Sequence, residues 1–565
     1  LLHFKWISMK MRFYFIITMF FGTLLFAADL SAQNRGKDNN SDELLKFKPK
    51  LVVGIVVDQM RYDYLTRFYD HFGEDGFKRL VEHGFNCKNN HFNYAPTSTG
   101  PGHTSVYTGS TPSVHGIIGN NWYDKELDAD VYCASDDSYT SVGTTSNAGQ
   151  MSPHRMTVTT ITDELRLNNQ MRGKTIAIAL KDRGAVLPGG HTANAAYWFH
   201  GANEGKWITS SYYMEQLPKW VIDFNSSGKA QSYKKAWNTL KDIKEYKESG
   251  TDDNAYEGLF EGETSPTFPH STTALLNKTQ DFDIIKGTPF GNSLTADFAI
   301  EALLQEGLGK DEITDFLAIS FSSTDYVGHM YGVNSKEIQD TYLRLDEDLA
   351  RLFKALDKNV GEGEYTLFLT ADHAAIEVPT YLKDQKIPAG YIDNASNKKR
   401  LAEFLKYTYG TEDIVKNYSN NQIFLDHKIV KNLDLNLADV EVEIAQEFLG
   451  YDSIDRVYTA NQMWNNEYTT GIPYILQNGY NQKRSGDVLV VLKPGFISYG
   501  TTGSTHGSPQ IYDTHAPLLF YGKGIKPGST VNRTEIPDIA PTISALLGIS
   551  FPSGTNGKPI TAVLE

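Results

Sequence analysis

Hydrophobic positions in this chain come in short unbroken runs, each followed by a polar or amphipathic stretch. "KLVVGIVVDQM" (50–60) is a near-continuous Val/Ile run ending in Asp58, the pattern of a parallel strand buried on both faces. "KTIAIAL" (174–180), "TDFLAISFSSTD" (314–325), "EYTLFLTADHA" (364–374), "DVLVVLKPGF" (487–496) and "HAPLLFYGKG" (515–524) repeat it. Between them, 297–308 and 335–360 carry apolar residues at helical spacing. Strands alternating with helices predict an α/β fold with a central, mostly parallel sheet flanked by helices. Two stretches break the rhythm, 191–290 (rich in Trp, Tyr, Ser and Asn) and 376–485 (mixed and polar), and both read as cap-like insertions. The chain closes on "PDIAPTISALLGI", a short helix with Pro541 in its first turn.

The first residues follow another logic. Lys10 and Arg12 precede the apolar run 13–28, and small residues follow at Ser31-Ala32. This is the pattern of a secretory leader over 1–32, with translation starting at Met9 or Met11, then a flexible lead-in (33–48) and one catalytic domain (49–565). A periplasmic or secreted protein is expected, with no stable membrane span once the leader is cleaved. The rest of the 565-residue chain has ordinary globular composition, 40% hydrophobic and 21% charged. A net charge of -15 makes nucleic acid a poor partner. Cys87 and Cys133 are the two cysteines, and whether they pair is left open by the sequence.

The chemistry sits at the strand ends, where open α/β sheets gather their ligands. One apolar run ends in Asp58, one leads into Asp325 with His329, and one into Asp372-His373. A single strand-end Asp is usually a cap or turn former. Three together would repel one another unless a cation sits among them. Mixed Asp/His ligation suits zinc better than manganese or iron. Asp325 and His329 stand at i, i+4, so one helical turn aims both at one ion. His506, on the small-residue loop "GSTHGSPQIYDTHAP", joins them, whereas His91, His103, His115, His191 and His515 read as structural or as neighbours of the site. Six ligands exceed one zinc, and two ions about 4 Å apart fit an in-line displacement at phosphorus.

That assignment gives a use to "APTSTGPGHTSVYTG" (95–109), which offers a hydroxyl just before a helix N-terminus, where phosphate is favoured. A hydroxyl bound to such an ion would ionise and attack. Lys181 and Arg183 continue a strand at i, i+2. If it stays extended, both cations face the site and suit a doubly charged phosphate; otherwise they are a solvated strand end.

At this point the chain resembles the alkaline phosphatase superfamily, and within it the Thr-nucleophile, PafA-type periplasmic phosphomonoesterases. "GIVVDQMR", "APTSTGPGHTSVYTG", "HGIIGNNWYD", "LKDRGAVLPGG", "SSTDYVGH", "TADHA" and "STHGS" carry the resemblance, from residue 54 to residue 508. It implies Thr99 as nucleophile, with Thr97 and Ser98 as fallbacks, and a covalent phosphothreonine. It implies two Zn2+, one held by Asp58, Asp372, His373 and Thr99, the other by Asp325, His329 and His506. It gives Asn120 (or its neighbour Asn121), Lys181 and Arg183 to the phosphoryl oxygens. The backbone N–H of Gly100 could add to these. The Lys/Arg pair marks monoesterases and is missing from the related diesterases, so the implied function is a broad, monomeric alkaline phosphatase acting on small phosphate monoesters. A phosphodiesterase or nucleotide pyrophosphatase is the alternative. A sulfatase is disfavoured, since neither Cys lies in a C/S-x-P-x-R setting, as is a cytoplasmic mutase with a Ser nucleophile.

Overall fold

Five of the buried runs lie side by side and parallel. In spatial order they are Tyr365–Thr370, Leu51–Val57, Asp315–Phe321, Thr175–Ala179 and Ala195–His200. Every residue of the first four is buried, as continuous Val/Ile/Leu runs require when helices cover both faces. Shorter strands extend the sheet to ten: Leu518–Gly522, Phe85–Cys87 and Gly528–Thr530 beyond one side, Lys206–Ser210 and Ser141–Val142 beyond the other. Leu518–Gly522 runs antiparallel to Tyr365–Thr370. The computed structural model describes residues 48–272 and 281–564. The leader read at 1–32 and all but the last residue of the lead-in lie outside these. From Pro49 the chain forms one compact unit.

The long helix Lys336–Leu356 shows how the flanking layer is built. Ser335 caps it by accepting the Ile338 N–H at 3.1 Å. Leu345, Leu349, Leu352 and Leu356 form one buried stripe. Each such leucine contributes about 2 kcal/mol when fully buried. The helix expected at 297–308 instead spans Phe290–Gln305. It starts earlier, after Pro289, and ends before Gly307 and Gly309, whose left-handed φ values of 64° and 69° cannot continue it.

One of the expected strands belongs elsewhere. The run at 487–496 forms Val488–Leu492, which pairs antiparallel with Gln422–Leu425 and Ile454–Thr459 in a separate four-stranded sheet completed by Val415–Ser419. This sheet and the helices Asn394–Tyr409 and Leu437–Leu449 enclose a second apolar core around Ile423, Ile444 and Val488. The first irregular stretch, read as beginning at 191, opens with the strands Ala195–His200 and Lys206–Ser210, which continue the central sheet. Cys87 and Cys133 are buried free thiols.

Candidate active site

The strand registers set Val57 beside Phe321 and Val56 beside Thr370, so the three strands end within one residue of the same level. The segments that leave them deliver Asp58, Asp325 and Asp372 to one place. Asp325 lies in the first turn of the helix Ser323–Tyr331 and His329 in its last turn, so the i, i+4 spacing brings the two side chains together: His329 Nε2 is 3.1 Å from Asp325 Oδ1. His506 arrives on the loop between the second sheet and Leu518–Gly522. Its ring stacks on His373 at 3.5 Å between centroids, and its Nε2 is 3.7 Å from Asp325 Oδ1. His373 Nε2 lies 3.4 Å from Asp58 Oδ1.

Two sets of donor atoms converge closely enough to share an ion, Asp58–Asp372–His373 and Asp325–His373–His506. His373 belongs to both, and His329 joins only through Asp325. The surroundings fit metal binding. Asp58 Oδ1, Asp372 Oδ2 and His373 Nε2 are buried with no hydrogen-bond partner among the described residues. Such atoms are costly to leave unpaired. All three histidines turn Nδ1 to a backbone carbonyl: His329 to Ser504 at 2.8 Å, His373 to Ala374 at 3.1 Å, His506 to Thr97 at 2.7 Å. A carbonyl only accepts, so Nδ1 carries a proton in each ring, and in the neutral form Nε2 then holds the lone pair that a metal would take.

Charge balance points the same way. The ammonium of Lys181 lies 2.6 Å from both Asp58 Oδ2 and Asp325 Oδ2. One ammonium among three buried carboxylates leaves negative charge uncompensated. Burial and then Asp372 push the Asp58 carboxyl well up. Asp325 is held well below the usual carboxylate range, because His329 and Lys181 outweigh its burial. Burial, with His373 beside it, keeps His506 neutral.

Lys181 and Arg183 do not extend the strand. It stops at Ala179, and Lys181 precedes the helix Asp182–Gly189, which contains Arg183, without capping it through its side chain. Both head groups still reach the centre, Lys181 through the carboxylates and Arg183 through Thr99, with Nη2 3.5 Å from Thr99 Oγ1. Thr99 is the first residue of the helix Thr99–Thr108 and is buried, with Ser98 as N-cap. Ser98 Oγ has no partner among the described residues, while the Thr97 hydroxyl donates to the Ser508 carbonyl at 3.2 Å. The Gly100 N–H is already engaged: it donates to Asn120 Oδ1 at 2.7 Å, so the Asn120 side chain has only its amide hydrogens to offer as donors. Asn121 opens the exposed edge of a hairpin, Asn121–Asp124 with Ala129–Tyr132.

His91, His115, His191 and His515 lie in other hydrogen-bond networks, but His103 reaches the centre. Its Nδ1 donates to the Thr99 carbonyl at 2.9 Å and stands 3.3 Å from Asp372 Oδ2, and its Nε2 accepts from Ser320. Sequence reasoning missed Gln59. Its N–H donates to Asp372 Oδ1 at 3.1 Å and its Nε2 to Asp325 Oδ1 at 2.6 Å. A left-handed φ of 63° is needed for this, rare for a long side chain. Gly328 leaves the room, since a Cβ there would meet Gln59 Oε1 at 1.9 Å. Tyr132 and Asp182 were missed too: Tyr132 donates to Asp182 Oδ1 and accepts from Arg183 Nη1 at 3.1 Å.

The sequence profile described as type I phosphodiesterase / nucleotide pyrophosphatase matches residues 52–517. Alkaline phosphatase PafA of Elizabethkingia meningoseptica is 46% identical over 524 residues, which cover 92% of this chain and 95% of that protein. A Myroides odoratus protein that bears the name calcium-transporting ATPase is 46% identical over 527 residues, 92% and 95% of the two chains. The crystal structure of wild-type alkaline phosphatase PafA matches with a TM-score of 0.88 and 46% identity, covering 92% of this chain and 99% of that one. The chain belongs to the type I phosphodiesterase / nucleotide pyrophosphatase family of the alkaline phosphatase superfamily, among relatives of the PafA type.

Proposed function

We propose that this protein is a zinc-dependent phosphate monoester hydrolase, an alkaline phosphatase, that works through a covalent phosphothreonine on Thr99. The observation that carries it is the convergence of three buried carboxylates and three histidine Nε2 atoms beside a hydroxyl on a helix N-terminus. The likeness to proteins named alkaline phosphatase over nearly the whole chain supports it. Asp58, Asp372, His373 and Thr99 would hold one zinc, and Asp325, His329 and His506 the other. Zinc, when bound, supplies positive charge where the reacting oxygens develop negative charge.

The chain's own groups do the rest. Thr99 Oγ1 gives up its proton and bonds to phosphorus as the bond from phosphorus to the ester oxygen breaks, and the departing alkoxide takes up a proton from solvent in place of the one Thr99 released. Water then attacks the same phosphorus, restores Thr99 and leaves inorganic phosphate. Thr99 is favoured over Thr97, whose hydroxyl is spent on Ser508, and over Ser98, because Arg183 is aimed at Thr99. Arg183 and the amide hydrogens of Asn120 receive the phosphoryl oxygens, within the positive field of the helix N-terminus. Lys181 adds charge from between Asp58 and Asp325. A monoester dianion gains more from such cations than a diester does. The leader would deliver the enzyme to the periplasm or outside the cell, where it acts as a monomer on small phosphate monoesters.

The test is the rate on an aryl phosphate monoester and on its matching diester, for wild type, Thr99→Ala, and Lys181→Ala with Arg183→Ala. A large monoester preference is expected, collapsing in the double variant. Thr99→Ala should lose turnover and keep its zinc. A diester preference, or turnover unchanged without Thr99, overturns the reading.

A further inference from the structure

The turn joining Val415–Ser419 to Gln422–Leu425 in the second sheet has two residues, Asn420 and Asn421. Both hold left-handed φ values, 51° and 57°. That is the geometry of a tight primed turn, and Asn is one of the few residues with a side chain that adopts it readily. The Asn421 carbonyl accepts from Val490 N–H at 2.8 Å, which fixes the turn to the strand beside it. The turn is 299 residues away in sequence from Asn121, yet Asn420 Nδ2 donates to the Asn121 carbonyl at 2.6 Å. A Cβ built on Gly119 would lie 3.1 Å from the same Nδ2. Asn420 therefore lies across the backbone on both sides of Asn120.

Asn120 is held from its other side by the catalytic layer. Its Oδ1 accepts from Gly100 N–H and its carbonyl from Cys133 N–H, at 2.7 and 2.9 Å. Asn120, Asn420 and His506 line one cavity of about 330 Å³. The hairpin that Asn121 begins is tied to the second sheet at further points. Lys416 pairs with Asp128 at 2.9 Å, and Tyr123 packs edge-on against Phe424 at 5.3 Å.

We propose that Asn420 is a positioning residue for phosphoryl recognition: by holding the Asn121 carbonyl, one peptide beyond Asn120, the turn of the second sheet aims the Asn120 amide at the phosphoryl group. This rests on Asn120 being a phosphoryl ligand, as read above. Asn420 touches no reacting atom and acts only through Asn120. A purely structural contact would lower activity by the same factor whether or not residue 120 is Asn, and this difference makes the test.

The experiment is a double-mutant cycle with Asn420→Gly, which keeps the left-handed turn and removes the donor, and Asn120→Ala. The readouts are kcat/KM on an aryl phosphate monoester and competitive inhibition by inorganic phosphate. Asn420→Gly is expected to lower kcat/KM about fivefold and to weaken phosphate inhibition by the same factor, the scale of one lost hydrogen bond. In the Asn120→Ala background the same change should have less than about a twofold effect. Equal losses in both backgrounds, or no loss from Asn420→Gly, overturn this proposal alone. No loss from Asn120→Ala overturns the phosphoryl role of Asn120, and the proposal with it. Asn420→Asp, which keeps the turn and lacks the donor, should lose at least as much as Asn420→Gly; wild-type rates there also overturn it.

Discussion

Gly102 is the point where the helix carrying Thr99 comes closest to the Asp372 loop. A Cβ at this position would stand 2.2 Å from the Asp372 carbonyl oxygen, 2.7 Å from its Cβ and 2.8 Å from its carbonyl carbon. None of these is the free end of a flexible side chain, so Gly102→Ala has to move a helix or a loop. Bringing the 2.2 Å contact to the 3.0 Å that real Cβ atoms respect needs a shift of about 0.8 Å or more. Thr99 lies one turn before Gly102, and Asp372 is a candidate ligand of the ion that Thr99 would share. The shift therefore opens the nucleophile–metal distance directly. Misplacements near 1 Å cost about 100-fold in rate, or about 2.7 kcal/mol. Gly100→Ala is the comparison. There the nearest atoms are Asn120 Oδ1 at 3.1 Å and Cys133 Sγ at 3.2 Å, so adjustments of a few tenths of an ångström suffice. Its loss should stay within about tenfold. The assay is kcat/KM on a phosphate monoester with zinc in excess, alongside thermal unfolding to verify the fold. A folded Gly102→Ala protein within threefold of wild type would show that the helix is not held where the reaction needs it.

Two further expectations follow, one from a buried charged cluster and one from the site. Buried His270 is pushed up to about 9: burial opposes its charge, but hydrogen bonds to Glu263 and Glu337, both at 3.1 Å, outweigh it. A folded-state value above the unfolded one means its stabilisation, up to about 3 kcal/mol, is complete below about pH 6.5 and lost as pH climbs through about 9. Glu257, pushed up to about 9 by burial and then by Glu337, adds a loss of the same sign, since the unfolded chain ionises it at far lower pH. Denaturant midpoints should fall between pH 6.5 and 9.5, and His270→Gln should flatten the fall; a flat wild-type profile contradicts this. Tyr132→Phe removes the oxygen that links Arg183 to Asp182, so inhibition by inorganic phosphate should weaken about tenfold while zinc content holds; unchanged inhibition would show that Arg183 keeps its aim without Tyr132.

The strand-end acids were legible because two simple rules act together. A continuous Val/Ile run must be a buried strand, and the residue that follows it must emerge at the sheet edge; Asp58 and Asp372 obey both. Asp325 and His329 needed only the helical repeat. Gln59 was illegible because its role depends on a left-handed backbone and on space left by Gly328, 269 positions later, neither of which has a period in sequence. Tyr132 and Asp182 act on Arg183 through contacts between elements that no local pattern predicts. The strand Val488–Leu492 looked like its neighbours because burial on both faces writes the same residues into any sheet, and pairing partners are not encoded in a single run. The strands at 195–210 were lost because their aromatic content resembles that of an irregular substrate wall. Lys181 and Arg183 reached the centre even though the strand ended before them, since a helix beginning at Asp182 also projects its first side chains over the sheet edge.

His506 comes to the centre on chain that has just left the second sheet. The loop is fastened by Ser504 to the Ile376 carbonyl and by Ser508 N–H to Asp513 Oδ2 at 2.8 Å. The second sheet is therefore not a detachable module. A lineage could not shed it in one deletion and keep a working centre, and a designer could not transplant the central sheet alone. Tolerated variation in the second sheet should concentrate in surface loops such as 411–413, far from the stretch that returns to Leu518–Gly522.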